Sequence, residues 1–259
     1  MGASEDELLA VAHDAARASA GELMSRFGQR QRDIRAKSGP TDLVSEADVS
    51  AEAAIRRVLA ERRPDDAILG EEGGETGEGE LRWVIDPLDG TINFLFGIPL
   101  FAVSVACEDR EGAVVGVVLD PVRDETFAAT RSGAPVLNGA AIESSGRDDL
   151  SRALVATGFA YDAAVRAKQA VAVGRVLPQV RDIRRGGSAA LDLAWCACGR
   201  YDAYYERGVK AWDITAGALI AQRAGLVLRD LPDGDDGPHG VLAASPALAD
   251  ELLRLVLGP

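Results

Sequence analysis

The sequence predicts a layered protein, α+β in its first half and α/β in its second. Two early segments carry apolar residues at helical spacing behind a Ser-x-x-acid cap, the middle shifts to short strand-like runs, and from about residue 147 helical and strand-like segments alternate. At 259 residues, 47% of them hydrophobic, the chain is long enough for the core of an enzyme. We expect an N-terminal α+β domain over residues 1–146, with a mostly antiparallel sheet, and a C-terminal α/β domain over 147–259 that completes the site.

The elements follow in order. Ser4-Glu5-Asp6-Glu7 is a capping box, and Leu8, Val11, Ala12, Ala15, Leu23 and Phe27 fit one face of a long helix behind it. Ser45-Glu46-Ala47-Asp48 repeats the signature before a second helix expected to carry Val49, Ile55, Val58 and Leu59. Ser38-Gly39-Pro40-Thr41 between them has turn chemistry. Strands are expected at 67–69, 83–85, 101–106 and 114–119, the last turned by Asp120-Pro121 into a hairpin with 125–130. Residues 70–80 are rich in Gly and Glu and read as low complexity. Beyond them we expect a strand at 153–157, helices at 163–177 and 189–197, a strand at 201–205 and a helix at 213–224. Strands at 226–228 and 241–244 and a terminal helix from Pro246 complete the pattern.

Composition narrows the function. A formal net charge of −13 argues against nucleic-acid binding through a broadly basic surface. No run approaches the roughly 20 apolar residues of a membrane span, and the start is acidic rather than the basic start of a signal peptide, so a cytoplasmic protein is expected. Cys107, Cys196 and Cys198 read as reduced core thiols, and two distant histidines, His13 and His239, argue against a zinc site.

The chemistry concentrates in Trp83-Val84-Ile85-Asp86-Pro87-Leu88-Asp89-Gly90-Thr91-Ile92-Asn93-Phe94. A strand ending at Asp86, followed by a Pro-bearing turn, can converge the carboxylates of Asp86 and Asp89, with the Leu88 carbonyl between them. Such an oxygen-rich group suits Mg²⁺. An Asp-capped turn would use the same residues. Glu71 and Glu72 end another strand or form a solvated acidic loop; Asp213 is a ligand or a helix cap; Asp48 is the acid of a capping box.

Taken together, Gly70-Glu71-Glu72, Asp86-Pro87-Leu88-Asp89-Gly90-Thr91 and Trp212-Asp213-Ile214-Thr215-Ala216-Gly217 resemble the inositol monophosphatase family of Mg²⁺-dependent, lithium-sensitive phosphatases. Lys37 with Asp42 to Asp48, Gly187 to Ala194 and Gly199 to Glu206 extend the match across residues 5–257. Ser45 stands where Thr is usual, Thr215 replaces a frequent Ala, and Arg223-Ala224-Gly225-Leu226 lacks a usual Glu and a second Gly.

The resemblance implies an αβαβα layered sandwich, a homodimer, and two or three Mg²⁺ ions that hold a phosphate and activate water. It implies metal binding by Glu71, Asp86, the Leu88 carbonyl, Asp89 and Asp213, with Glu71 also serving a weaker third ion through water. Asp48 and Thr91 would orient and deprotonate the water, while the Gly90 and Thr91 N–H groups receive phosphate oxygens. Glu206 and the Gly187-Ser188-Ala189 turn would contact a phosphorylated polyol, and Lys37 would lie in a loop closing over the metals. Phe94 to Pro99 and the Glu206 motif look most like the bacterial inositol-1-phosphatase branch. Fructose 1,6-bisphosphate, histidinol phosphate and 3′-phosphoadenosine 5′-phosphate are the alternatives from related branches, and a non-catalytic partner-binding protein is the alternative class.

Overall fold

Both expected capping boxes form. In the computed structural model, which describes residues 3–29, 34–36, 43–234 and 237–258, the Ser4 hydroxyl accepts the Glu7 N–H at 3.3 Å, and the Glu7 carboxylate accepts the Ser4 N–H at 2.8 Å. These bonds open helix α1 (Glu5–Met24). A short antiparallel pair, β1 (Arg35–Ala36) and β2 (Leu43–Val44), leads to α2 (Glu46–Arg62), opened by Asp48, which accepts the Ser45 N–H at 2.8 Å.

Next come β3 (Ala67–Gly70), β4 (Gly74–Thr76) and β5 (Arg82–Asp89), then the single-turn helix α3 (Thr91–Leu95). Long strands β6 (Ala102–Asp109), β7 (Gly112–Asp120) and β8 (Glu125–Thr130) follow, with short β9 (Val136–Leu137) and β10 (Ala140–Ala141) at the edge. They form an eight-stranded sheet ordered β10-β9-β8-β7-β6-β5-β3-β4, antiparallel except at β3–β5. The second sheet, ordered β12-β11-β13-β15-β14, comprises β11 (Leu154–Thr157), β12 (Asp182–Arg184), β13 (Ala203–Arg207), β14 (Val227–Leu231) and β15 (Gly240–Ala244). Between and after these strands lie α4 (Ala163–Val176), α5 (Ala189–Ala197), α6 (Ala211–Arg223) and α7 (Pro246–Leu257).

The side-chain period turns these elements into layers. Trp83, Ile85, Val103, Val105, Val115 and Val117 point to the α1–α2 side of the large sheet, while Val84, Ala102, Ala106 and Val118 point to α5 and α6. The other side of α5 and α6 packs on the second sheet through Leu193, Cys196, Tyr204 and Ala243. Helices α4 and α7 cover that sheet's outer face with Val176, Leu248, Leu252 and Val256. The result is the αβαβα sandwich, with α5 and α6 as the middle layer. That layer lies close: a Cβ on Gly116 would come within 2.9 Å of the Ala216 Cα and carbonyl oxygen, so only glycine lets α6 rest on β7.

Several expectations are corrected. Val49 is 56% exposed rather than buried, because α2 buries Ala47, Ala51, Ile55 and Leu59, and Val49 projects about 200° around the helix from Ala47. The segment read as low complexity contains β4, an edge strand pairing with β3. The strand expected at 201–205 is β13, shifted so that Glu206 lies within it. Helix α6 begins two residues before Asp213, and β12 and the β9–β10 pair were not foreseen. Phe27 lies beyond the end of α1, where its ring packs 5.6 Å from Phe94 and 4.9 Å from Phe101. Cys107 and Cys196 are buried free thiols, as expected, and Cys198 is partly buried.

Candidate active site

The strand expected to end at Asp86 before a Pro-bearing turn instead runs on through Pro87 to Asp89. Two acids three residues apart on a regular strand point to opposite faces; here they do not. Asp86 pairs with Ser104 and Asp89 with Ala102, so three steps on β5 match two on β6, and this one-residue bulge returns both carboxylates to the same side. The Leu88 N–H donates to Asp86 at 2.9 Å, and the Ser19 hydroxyl of α1 donates to the Pro87 carbonyl at 3.1 Å, holding the bulge from behind. Gly90, at φ +101°, then turns the chain into α3 through a left-handed conformation that other residues adopt at a cost.

The remaining acids arrive from separate elements. The last β3–β5 pair is Gly70 with Ile85, so the next residue, Glu71, comes abreast of Asp86. Glu52 secures that corner, accepting the Glu72 and Gly73 N–H groups at 2.8 and 2.9 Å while Arg56 holds it at 2.7 Å. Asp213 is not an N-cap; it occupies the third residue of α6, where it accepts the Lys210 N–H at 2.6 Å. Ser104, opposite Asp86, donates to the Trp212 carbonyl at 3.1 Å and thereby draws the start of α6 over the bulge. On the other side, both the Ser188 hydroxyl and the Ala190 N–H donate to one oxygen of Asp89, at 2.6 and 2.7 Å, tying α5 to β5.

One cavity of about 390 Å³ gathers these groups. Its wall includes Glu71, Asp86, Leu88, Asp89, Gly90 and Thr91 from the large-sheet half, with Gly187, Ala189, Glu206 and Asp213 from the other. Ser188 and Asp48 stand just behind it: Ser188 through its bond to Asp89, and Asp48 through the Thr91 hydroxyl, 3.0 Å from its Oδ1. The second Asp48 oxygen accepts the Ser45 hydroxyl at 2.7 Å, so this residue caps α2 and meets Thr91 at once. Lys37 lies outside the described residues.

Burial and mutual repulsion shape the electrostatics. Burial, then the charges of Glu71, Asp89 and Asp213, raises Asp86 well above the usual carboxylate range. Burial lifts Asp89 to about 6, against the lowering effect of Ser188 and Ala190. Asp213 is raised by burial and the Asp89 charge, and burial brings Glu206 to about 7. As placed, no three Asp, Glu, His or Cys side chains among the described residues close on one point to form a ready-made ligand cage. The donor set nevertheless fits a hard divalent cation: it is all oxygen and anionic, and Asp86 and Asp89 keep acceptor positions beyond their protein hydrogen bonds.

Raised carboxylate pKa values destabilise the folded state as pH rises. The stability contributed by protonated Asp89 is fully present below its unfolded value of 3.8 and is lost as pH climbs through about 6; for Glu206 the loss extends to about 7. A cation that needs the ionised forms binds more strongly over the same interval. We therefore expect Mg²⁺ to raise the melting temperature by about 5 °C or more near pH 7.5 at saturation, and by much less near pH 5. Differential scanning fluorimetry against chelator would reveal this, and equal shifts at both pH values would contradict a carboxylate-held ion.

Residues that sequence reading did not single out complete the wall. Arg185, next to the Gly186-Gly187 pair, and Lys210, beside the Trp212-Asp213 motif, add positive charge, while Phe159 and Tyr161 add aromatic surface. Asp192, one turn into α5, is buried with neither carboxylate oxygen hydrogen-bonded in the structure, and burial raises its pKa well above the normal range. It lies within the Gly187 to Ala194 match, which gave it no role of its own.

Known proteins resemble this chain in sequence and in overall fold. The chain is 46% identical over 241 residues to the inositol-1-monophosphatase SuhB of Mycobacterium tuberculosis, covering 89% of this chain and 83% of that one. It is 45% identical over 235 residues to a Pseudomonas aeruginosa protein named Nus factor SuhB, covering 86% and 85%. The crystal structure of the extragenic suppressor protein suhB from Bartonella henselae superposes with a TM-score of 0.88 at 34% identity, over 96% of this chain and 98% of that one. The model describing the inositol monophosphatase family matches residues 4–257, nearly the whole span that forms the five layers and the cavity, and the chain belongs to that family.

Proposed function

We propose that this phosphoric monoester hydrolase acts on myo-inositol monophosphate, releasing inositol and phosphate with Mg²⁺ as cofactor. The observation that carries the reading is the meeting of Glu71, Asp86, Asp89 and Asp213, from three separate segments, on the cavity wall that also holds Thr91. Glu71, Asp86, Leu88, Asp89 and Asp213 would hold two or three ions. Bound there, Mg²⁺ would supply charge stabilisation for the phosphoryl oxygens and a lowered pKa for the attacking water.

The chain's own groups do the rest. Thr91 presents its hydroxyl oxygen to the attacking water while Asp48 accepts the Thr91 proton, fixing the direction of attack. The Gly90 and Thr91 N–H groups, where the chain enters α3, face phosphate oxygens. Glu206 accepts hydrogen bonds from the hydroxyls of the polyol, with Gly187, Ser188 and Ala189 forming the neighbouring wall and support. By the family resemblance, Lys37 would offset the negative charge of the ions' ligands and of the phosphate.

A homodimer and a cytoplasmic location belong to the same reading by family resemblance. No helix among the described residues is long and apolar enough to cross a membrane. The name of the Pseudomonas relative adds a second reading, a transcription partner recognised in addition to or instead of the ester. The net charge of −13 favours a protein partner over nucleic acid in that role.

The test is phosphate release from myo-inositol 1-phosphate, fructose 1,6-bisphosphate, histidinol phosphate and 3′-phosphoadenosine 5′-phosphate, with Mg²⁺, without it, and with Li⁺ added. The inositol ester is expected to turn over fastest, only with Mg²⁺, and with inhibition by Li⁺. Preference for another ester would move the substrate and keep the chemistry, and no turnover of any would favour the binding role.

A further inference from the structure

Glu206 occupies its place through an unusual accommodation. A Cβ built on Gly158 would fall 2.0 Å from Glu206 Oε2 and 2.1 Å from its Oε1 and Cδ, so the carboxylate lies directly against the bare α-carbon. Gly158 follows the last residue of β11, and β11 pairs in parallel with β13, which carries Glu206. The glycine is not required by its backbone: Gly158 is absent from the residues with positive φ, so its conformation is open to any L-residue. What calls for glycine here is space alone.

The carboxylate is also tethered. The hydroxyl of Tyr204, a fully buried residue of β13 two positions earlier, donates to Glu206 Oε2 at 3.0 Å. Residues i and i+2 share one face of a strand, so the bond runs along that face and fixes the carboxylate's height above the sheet. One side of Glu206 is therefore held by a donor and another by an α-carbon surface, leaving the remaining lone pairs for the cavity that it lines.

We infer that Gly158 and Tyr204 are positioning residues that seat the Glu206 carboxylate for reading the hydroxyls of the phosphorylated polyol, and so set selectivity among phosphate esters. This rests on the proposed substrate-reading role of Glu206. A methyl group at 158 displaces the far end of a flexible side chain rather than backbone, so Gly158→Ala keeps the fold and moves the carboxylate. By the same crowding, shortening the acid should relieve the substitution, since Glu206→Asp withdraws the carboxylate by one methylene.

The experiment measures kcat and KM for myo-inositol 1-phosphate and for p-nitrophenyl phosphate, an ester without hydroxyls to read, on the full chain with Mg²⁺. Gly158→Ala should lower the ratio of the two kcat/KM values about tenfold, chiefly by raising KM for the inositol ester. Tyr204→Phe, nearly isosteric, should lower it several-fold, and Gly158→Ala with Glu206→Asp should recover part of the loss relative to Gly158→Ala alone. A wild-type ratio in Gly158→Ala and Tyr204→Phe, alongside a lowered ratio in Glu206→Ala, would overturn the seating role and leave the role of Glu206 standing. An unchanged ratio in Glu206→Ala would overturn the substrate-reading role itself, and the seating role with it. Equal loss on both esters in Gly158→Ala would mark a general structural defect and likewise overturn the inference.

Discussion

Asp89→Asn is expected to lower kcat by at least about a hundredfold while leaving the fold intact. The amide oxygen of Asn can still accept the Ser188 and Ala190 donors that now meet one oxygen of Asp89 at 2.6 and 2.7 Å, so the tie between β5 and α5 survives. What disappears is one negative charge and the second anionic oxygen. Because burial already raises the Asp89 pKa to about 6, the variant relieves a charge the folded protein holds at a cost, and the metal-free melting temperature should stay level or rise. Phosphate release and thermal melting together check this. Near-wild-type turnover with Asn would sink the metal-ligand assignment, and a collapsed melting temperature would show that Asp89 mainly serves packing.

Thr91→Val should lower kcat by about 10²-fold or more with a smaller change in KM. The hydroxyl has one proton and two nearby acceptors, Asp48 Oδ1 at 3.0 Å and the Leu88 carbonyl at 3.1 Å. Valine matches its shape and has neither donor nor acceptor, whereas Thr91→Ser keeps both and should recover most of the rate. Asp48→Asn should resemble Thr91→Val in kcat. Turnover of Thr91→Val within about threefold of wild type would remove Thr91 from the reaction.

The parts of the site that were legible in the sequence are those built from contiguous residues. The meeting of Asp86 and Asp89 was legible in Asp86 to Thr91, though as a turn after Asp86 where the strand in fact runs on to Asp89 and the chain turns at Gly90, and both capping boxes were visible in four-residue strings. Glu71 and Asp213 gained meaning only through resemblance, since alone each fits an acidic loop or a helix start. The bulge that brings Asp86 and Asp89 to one face was hidden, because it depends on register against β6. Val49 was misplaced for a related reason: α2 is rich in alanine, and its buried stripe of small residues gives a weak hydrophobic signal beside one exposed valine. Glu52, Arg185 and Gly158 carry their roles entirely through contacts across the fold, and no local pattern marks them.

The middle layer has a consequence for how the chain is made. The face of the large sheet formed by Val84, Ala106, Val118 and Phe127 is covered by α5 and α6, which are encoded after the last long strand of that sheet has been synthesised. About 90 residues separate the end of β8 from the end of α6, roughly 5–20 s of translation at ordinary ribosomal speeds. During that interval one side of the nascent sheet remains an uncovered apolar plane, at which chaperones can act and aggregation can begin. Truncation before α6 should therefore yield an insoluble product, and conditions that slow elongation downstream of β8 should lower the yield of folded protein.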